Sequence, residues 1–423
     1  MININKKPKS INKGKEMITR INSNKFKTNE IGIFLTLPLN KKTITMNALI
    51  PQVLRRGTNT YKTQYEIGKK LEDMYGAYFN YGIEKVGDNL VLKFYISSLC
   101  DKYANQNLSQ ETINLIFDII FNPLIEECSF KNEYVEQEKE NLKKIIESRK
   151  DDKSLYSYNR CIEEMFKDEP YGIYKFGSLE ELNKINSKNL YDYYKEMTSS
   201  CKISIVINGE EADKIAIPKI NIANFETRVN ENETMEINKT KLAYRDEPQI
   251  INEELEVTQG KLNIGLYCNI KNKYIATIYN MVLGGGANSK LFKNVREKAS
   301  LAYTVSSRYL KQKDAIIIRA GIELENYDKT VEIIKKQLED MKCGNISDEE
   351  FKSAKQLILS SIKLIPESQE EILWFNFIQK ITGENLTVDE YYKKIEEVSK
   401  DDVIKEAKNV GINTIYFLKN KNV

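Results

Sequence analysis

Three short apolar runs punctuate the first half of the chain, at Gly32 to Leu37, Asn89 to Ile96 and Ile203 to Ile207. Each is rich in β-branched or aromatic residues and bounded by turn formers, so each reads as a strand. Between them, apolar positions recur at the spacing of a helix that buries one face, over Lys62 to Met74, Glu111 to Phe121 and Asn132 to Lys150. The same order returns in the second half. Strands at Leu262 to Cys268, Ala315 to Gly321 and Thr414 to Leu418 alternate with helices near Ser289 to Lys298, Lys329 to Met341 and Asp348 to Lys363.

The two halves also align with each other. Laying the helix after Ser129 on the helix after Ser347 pairs Tyr134 with Phe351, Leu142 with Leu359 and Ile145 with Ile362, a constant shift of 217 residues. Each half closes alike, with a helix after Ser178 or Thr387, a helix start at Ser187 or Ser399, and a last strand. Capping boxes at Ser178/Glu181, Ser347/Glu350 and Thr387/Glu390 mark helix starts. The polar stretch from Gly209 to Pro248, broken by Pro218, separates the halves. The expected architecture is α+β: two homologous domains, each a mainly antiparallel sheet packed with helices, forming a clam-like half-chamber. Their expected bounds are residues 1–210 and 249–423, with 211–248 as linker.

Composition narrows the chemistry through one number, because the 423 residues include no histidine. Without imidazole there is no Ser-His-Asp or Cys-His triad, and the ligand of most catalytic zinc sites is missing. Net charge adds no nucleic-acid signal: 64 basic against 61 acidic side chains leave +3, spread along the chain. A basic cluster, Lys6, Lys7, Lys9, Lys13 and Lys15, sits in a polar N-terminal segment that lacks the apolar run of a secretory signal. No stretch approaches the roughly 18 apolar residues of a membrane span. Six scattered cysteines without a C-x-x-C pair fit reduced thiols, and the expected compartment is the cytoplasm.

The run from Leu283 through Gly284, Gly285 and Gly286 to Lys290 resembles a phosphate loop only superficially, since it lacks the Gly-Lys-Ser/Thr ending. A tight turn feeding a helix capped by Asn288 or Ser289 explains it better. Downstream, Arg296 and Tyr303 stand seven residues apart, nearly two helical turns, so a continuous helix would put both on one side. A guanidinium beside a phenol can hold a carbonyl or a developing oxyanion. The plainer alternative is a surface Arg and a packed Tyr.

The segment from Gly284 to Tyr303 resembles the C-terminal half of the insulinase-like (pitrilysin) zinc peptidases, which include mitochondrial processing peptidase. By that resemblance Arg296 and Tyr303 take the positions of the Arg and Tyr that reach toward the zinc site and hydrogen-bond the substrate. The N-terminal half resembles the family too, but departs from it at the metal. The inverted motif H-x-x-E-H is followed in the family by an apolar stretch and Gly-Thr. Here Gly57 and Thr58 keep that register, which sets Ala48 and Gln52 at the two His positions and Pro51 at the general base. Aligning Glu138 and Asp151-Asp152 with the family's marks sets Ile145 at the third ligand. Alanine, proline and isoleucine offer zinc no donor, and a neutral Gln does not replace two imidazoles.

The stretch from Leu71 to Tyr81 matches the family segment leading to a substrate-binding edge strand, so Asn80 and Tyr81 become candidates for peptide contact by β-augmentation. An ordinary helix-to-strand connection is the competing reading. The resemblance implies a chain with no cofactor of its own, partnered with a zinc-motif paralogue in a heterodimer that processes peptides. A subunit that binds peptide or supports assembly without catalysis is the alternative. A His-independent hydrolase using a Ser-Lys pair or a thiol such as Cys128 has no recognisable spacing behind it.

Overall fold

In the computed structural model of the chain, residues 18–104, 106–219, 242 and 245–421 are described. The basic N-terminal cluster and most of the expected linker lie outside them. The first half of the chain runs β1 (Ile18–Asn22), β2 (Thr28–Pro38), α1 (Ile44–Leu54), α2 (Gln64–Asp73), β3 (Tyr78–Val86), β4 (Asn89–Leu99), α3 (Asp101–Ala104), α4 (Leu108–Phe121), the hairpin β5 (Ile125–Glu126) and β6 (Ser129–Phe130), and α5 (Asn132–Glu147). It continues with α6 (Lys153–Met165), α7 (Leu179–Asn183), α8 (Ser187–Ser200) and β7 (Lys202–Gly209). The second half holds β8 (Gln249–Leu255), β9 (Gly260–Cys268), α9 (Lys273–Gly284), a π-helix (Phe292–Lys298), β10 (Ala302–Leu310) and β11 (Ala315–Ile322). Then come α10 (Tyr327–Lys342), α11 (Asp348–Leu364), α12 (Gln369–Ile381), α13 (Val388–Glu396), α14 (Lys400–Glu406) and β12 (Val410–Asn420).

Two five-stranded sheets share one topology, β1-β7-β2-β4-β3 and β8-β12-β9-β11-β10. In each, the first strand pairs parallel with the second and the other neighbours pair antiparallel. The three inner strands of each sheet are the six apolar runs of the sequence. They are buried almost end to end, as strands covered on both faces must be. Ser347 forms the expected reciprocal box with Glu350 and Ser399 caps its helix, whereas Ser178 accepts from the Glu181 amide but its own amide donates to Thr45 Oγ1 at 3.3 Å. At the start of α8, however, Asn186 rather than Ser187 is the N-cap, in a reciprocal box with Asn189.

The compact units are not the contiguous halves. One consists of Met1–Glu147, Ile173–Asn238 and Ile365–Thr387, the other of Ser148–Gly172, Lys239–Leu364 and Val388–Val423. Each unit borrows a helix from the other half of the sequence. In the first, α12 lies on β2 and β7, where Leu373, Phe377 and Ile381 pack with Phe34, Val91, Tyr95 and Val206. Phe377 stacks on Phe34 at 4.2 Å. The amide of Gln369 anchors the helix start, donating to the Thr28 carbonyl at 2.9 Å and to Asn208 Oδ1 at 3.0 Å.

In the second unit, α6 lies on β9 and β12. Met165 sits so close to Gly265 that a Cβ there would come 2.5 Å from its sulfur. Arg160 Nε and the Tyr416 hydroxyl both donate to Glu253 Oε2, at 3.0 and 2.8 Å. Lys313 is buried, paired with Glu169 at 2.6 Å and flanked by the rings of Phe166 and Tyr171. The 217-residue shift that aligns Tyr134 with Phe351 also carries α6 onto α12. The exchanged segments are therefore repeat equivalents. Apolar periodicity states which face of a helix is buried but not which sheet receives it, so contiguous domains were the natural expectation.

Candidate functional site

In the first unit the site is built on α1 and α5, which pack together. Ten of the eleven residues of α1 are buried, which keeps it helical despite Pro51 in its interior, where proline removes a backbone donor and crowds the preceding turn. Ala48, Pro51 and Gln52 all lie inside. The Gln52 amide donates to the carbonyl of Ala48 at 3.1 Å, so its nitrogen is already engaged. Ile145, near the end of α5, is 38% exposed. Zinc needs three or four N, O or S donors about 2.0–2.3 Å away, and this donor set does not fit it. Among the described residues no group of three or more His, Cys, Asp or Glu is placed to hold a metal.

The Gly57-Thr58 register has a local physical reason. A Cβ on residue 57 would stand 2.5 Å from the carbonyl oxygen of Lys62, so only glycine fits. The fully buried Thr58 hydroxyl donates to Asp118 Oδ2 at 2.5 Å and accepts from the amides of Thr60 and Tyr61. Together they close the loop leaving α1.

A charge cluster joins the end of α1 to α5. Glu138 on α5 is 1% exposed, with Oε1 3.5 Å from Arg56 Nε and 3.9 Å from Arg55 Nη2. Its other oxygen accepts from Asn141 at 2.9 Å. Arg56 is further tied to Gln64 at 3.0 Å and to Gln137, and lies over the Tyr134 ring. Arg55 lies over the ring of Tyr81, 5.5 Å from its centroid. Burial raises the Tyr81 phenol above its ordinary pKa, and the Arg55 charge opposes that rise. The arginines were not singled out in the sequence; their spacing of three and four residues from Gln52 was the available signal, because it puts them on the same face.

Asn80 and Tyr81 lie on β3, the edge strand of the first sheet. Asn80 Oδ1 accepts from the Tyr81 amide at 2.8 Å, and the Ile83 carbonyl accepts from Lys175 at 3.3 Å. Two backbone groups of β3 are thus capped by the unit's own side chains.

In the second unit Arg296 and Tyr303 do not share a helix face. The π-helix ends at Lys298, the Leu301 amide reaches back to the Val295 carbonyl at 3.0 Å, and Ser300 adopts a left-handed φ of 53°. The continuous helix that would have aligned the pair is therefore absent, and Tyr303 falls on the bulge of edge strand β10. Both are exposed, Tyr303 by 62%. The Arg296 guanidinium lies 4.6 Å from the Phe292 ring centroid. A hydrogen bond to Glu323 raises the Tyr303 phenol above its ordinary pKa. π-turns of this kind recur at functional sites.

The glycine run serves packing: a Cβ on Gly284 would meet the Ser307 amide at 2.8 Å, Ser289 caps the turn, and buried Lys290 pairs with Glu350 at 3.2 Å. The matching topologies make β3 and β10 equivalent edges, so both candidate segments occupy the same place in their own unit.

Residues 184–358 match the family profile described as Peptidase M16 inactive domain. A probable inactive metalloprotease of Bacillus subtilis (strain 168), YmfF, is 30% identical over 405 residues, covering 94% of each chain. An uncharacterized zinc protease of Rickettsia felis is 23% identical and covers 84% of this chain and 82% of its own. Among solved structures, a conserved protein from Enterococcus faecalis V583 superposes with a TM-score of 0.87 at 24% identity, over 97% of this chain and 98% of that one. A peptidase M16 inactive domain from Pseudomonas fluorescens gives 0.73 at 15% identity, over 96% of both.

Proposed function

The chain belongs to the insulinase-like M16 peptidase family as an inactive member, and from that premise we propose that it is the metal-free subunit of a heteromeric zinc peptidase. The observation that carries this reading is the contrast between the two units. At α1 and α5 every zinc position lacks a usable donor, whereas Arg296 and Tyr303 remain exposed on the π-helix and the edge strand it feeds. A zinc-carrying paralogue supplies the metal that polarises the scissile carbonyl and activates water. Arg296 and Tyr303 then donate to the developing oxyanion in trans, and the peptide adds to a sheet edge such as β3. We place this pair in the cytoplasm.

The test is peptide cleavage by the chain mixed with an H-x-x-E-H paralogue, repeated with Arg296→Ala and Tyr303→Phe. Losing one oxyanion donor costs about 100- to 1000-fold in kcat. Cleavage indifferent to both substitutions refutes the catalytic role. A specific observation favours a second reading, a subunit that binds peptide or supports assembly only: Arg296 and Tyr303 are already engaged with Phe292 and Glu323. That reading expects complex formation with unchanged rates in both variants.

A further inference from the structure

Arg55 ends α1 beside the β3 edge with donors to spare. Its side chain is 35% exposed, its buried Nε has no hydrogen-bond partner among the described residues, and Glu138 meets its Nη2 only at 3.9 Å. Arg56 Nε is unpartnered in the same way, but Gln64 and Gln137 hold both of its Nη groups, and Glu138 and the Tyr134 ring lie beside it. Among the described residues, two guanidinium groups face one carboxylate at this spot, an excess of one positive charge. Glu138 Oε1, buried and itself without a hydrogen-bond partner, marks the same place as incompletely satisfied.

We propose that Arg55, lying over the Tyr81 ring, is a recognition point for a peptide carboxylate. The inference rests on the reading that a peptide docks along β3, and it adds the chemistry selected there. A guanidinium presents parallel donors that match the two oxygens of a carboxylate, and the nearby aromatic ring restrains it by cation–π attraction. The strand itself offers a reduced backbone ladder, since Asn80 caps the Tyr81 amide and Lys175 the Ile83 carbonyl. A side-chain anchor therefore gains weight in fixing where a peptide settles. The carboxylate comes either from a peptide C-terminus or from an Asp or Glu side chain.

Fluorescence anisotropy with the full chain separates these sources. The probe is a labelled peptide of about ten Ala, Val and Ser residues, made with a central Glu or Gln and with a free or amidated C-terminus. Wild type is expected to favour carboxylate-bearing forms, and Arg55→Gln to weaken them about tenfold while leaving the doubly neutral peptide unchanged. Whether the loss follows the terminus or the Glu identifies the source. Arg55→Lys keeps the charge but not the fork and is expected to fall between, and it carries the test if the Gln variant misfolds. Equal binding of all four forms by wild type, or an equal loss for all four in the variants, overturns the proposal while leaving peptide docking intact. Binding of none overturns both.

Discussion

Truncating Phe377 to alanine tests the helix exchange directly, because this residue lies in the C-terminal half of the sequence but in the core of the N-terminal sheet. The side chain is fully buried, stacked on Phe34 at 4.2 Å with 14° between the rings, and 5.3 Å from Trp374. Removing a buried benzyl group costs about 3–5 kcal/mol, and lost ring pairing accounts for roughly 0.5–1.5 kcal/mol of that. Alanine's better helix propensity returns about 0.5 kcal/mol, so about 2.5–4.5 kcal/mol is expected. Hydrogen exchange read by mass spectrometry localises the loss. Amides of β2 and β7 should lose protection, while those of β9, β11 and β12 keep theirs. Deprotection confined to the second sheet, or a loss below about 1 kcal/mol, would refute α12 as a core element of the first unit.

Two further perturbations probe the same unit. Burial, and then the nearby charge of Glu370 on α12, raise the Glu30 carboxyl to about 7. The native state therefore binds more protons than the unfolded chain between roughly pH 4.5 and 7, and this group's contribution to stability falls as pH rises through that window. Glu30→Gln should stabilise by about 1–2 kcal/mol at pH 8 and change little at pH 5, in paired urea melts; an equal effect at both pH values would contradict the assignment. Gly57→Ala places a methyl against the Lys62 carbonyl, and thermal melts should show a loss of about 1–3 kcal/mol. An unchanged melting temperature would remove the packing reason given for the Gly-Thr register.

Legibility in the sequence followed burial. The inner strands β2, β4, β7, β9, β11 and β12 are covered on both faces, so their composition is continuous and apolar and announces itself. The edges β1, β3, β8 and β10 carry half-exposed or alternating positions and gave no comparable run; only family resemblance pointed to β3. The two exchanged helices were also silent. In α6 the buried face is built largely from Tyr156, Tyr158 and Cys161 rather than from aliphatic residues, and α12 mixes buried Gln369 and Gln379 with Phe377.

The candidate site shows a different limit, one of pairing rather than pattern. Reading Ala48, Pro51, Gln52 and Ile145 against the zinc motif states which donors are missing at those positions. It does not disclose the charge cluster beside them, because that depends on Glu138 of α5 meeting two arginines that follow α1. A carboxylate at 1% exposure is costly without counter-charge, so Glu138 requires its arginines whatever the chain binds. Arg56 alone, with its dense set of partners, goes far toward meeting that need. Arg55 is then the surplus charge, half-exposed at a sheet edge, and a surplus charge in such a place is where specificity for an anionic ligand is most economically built.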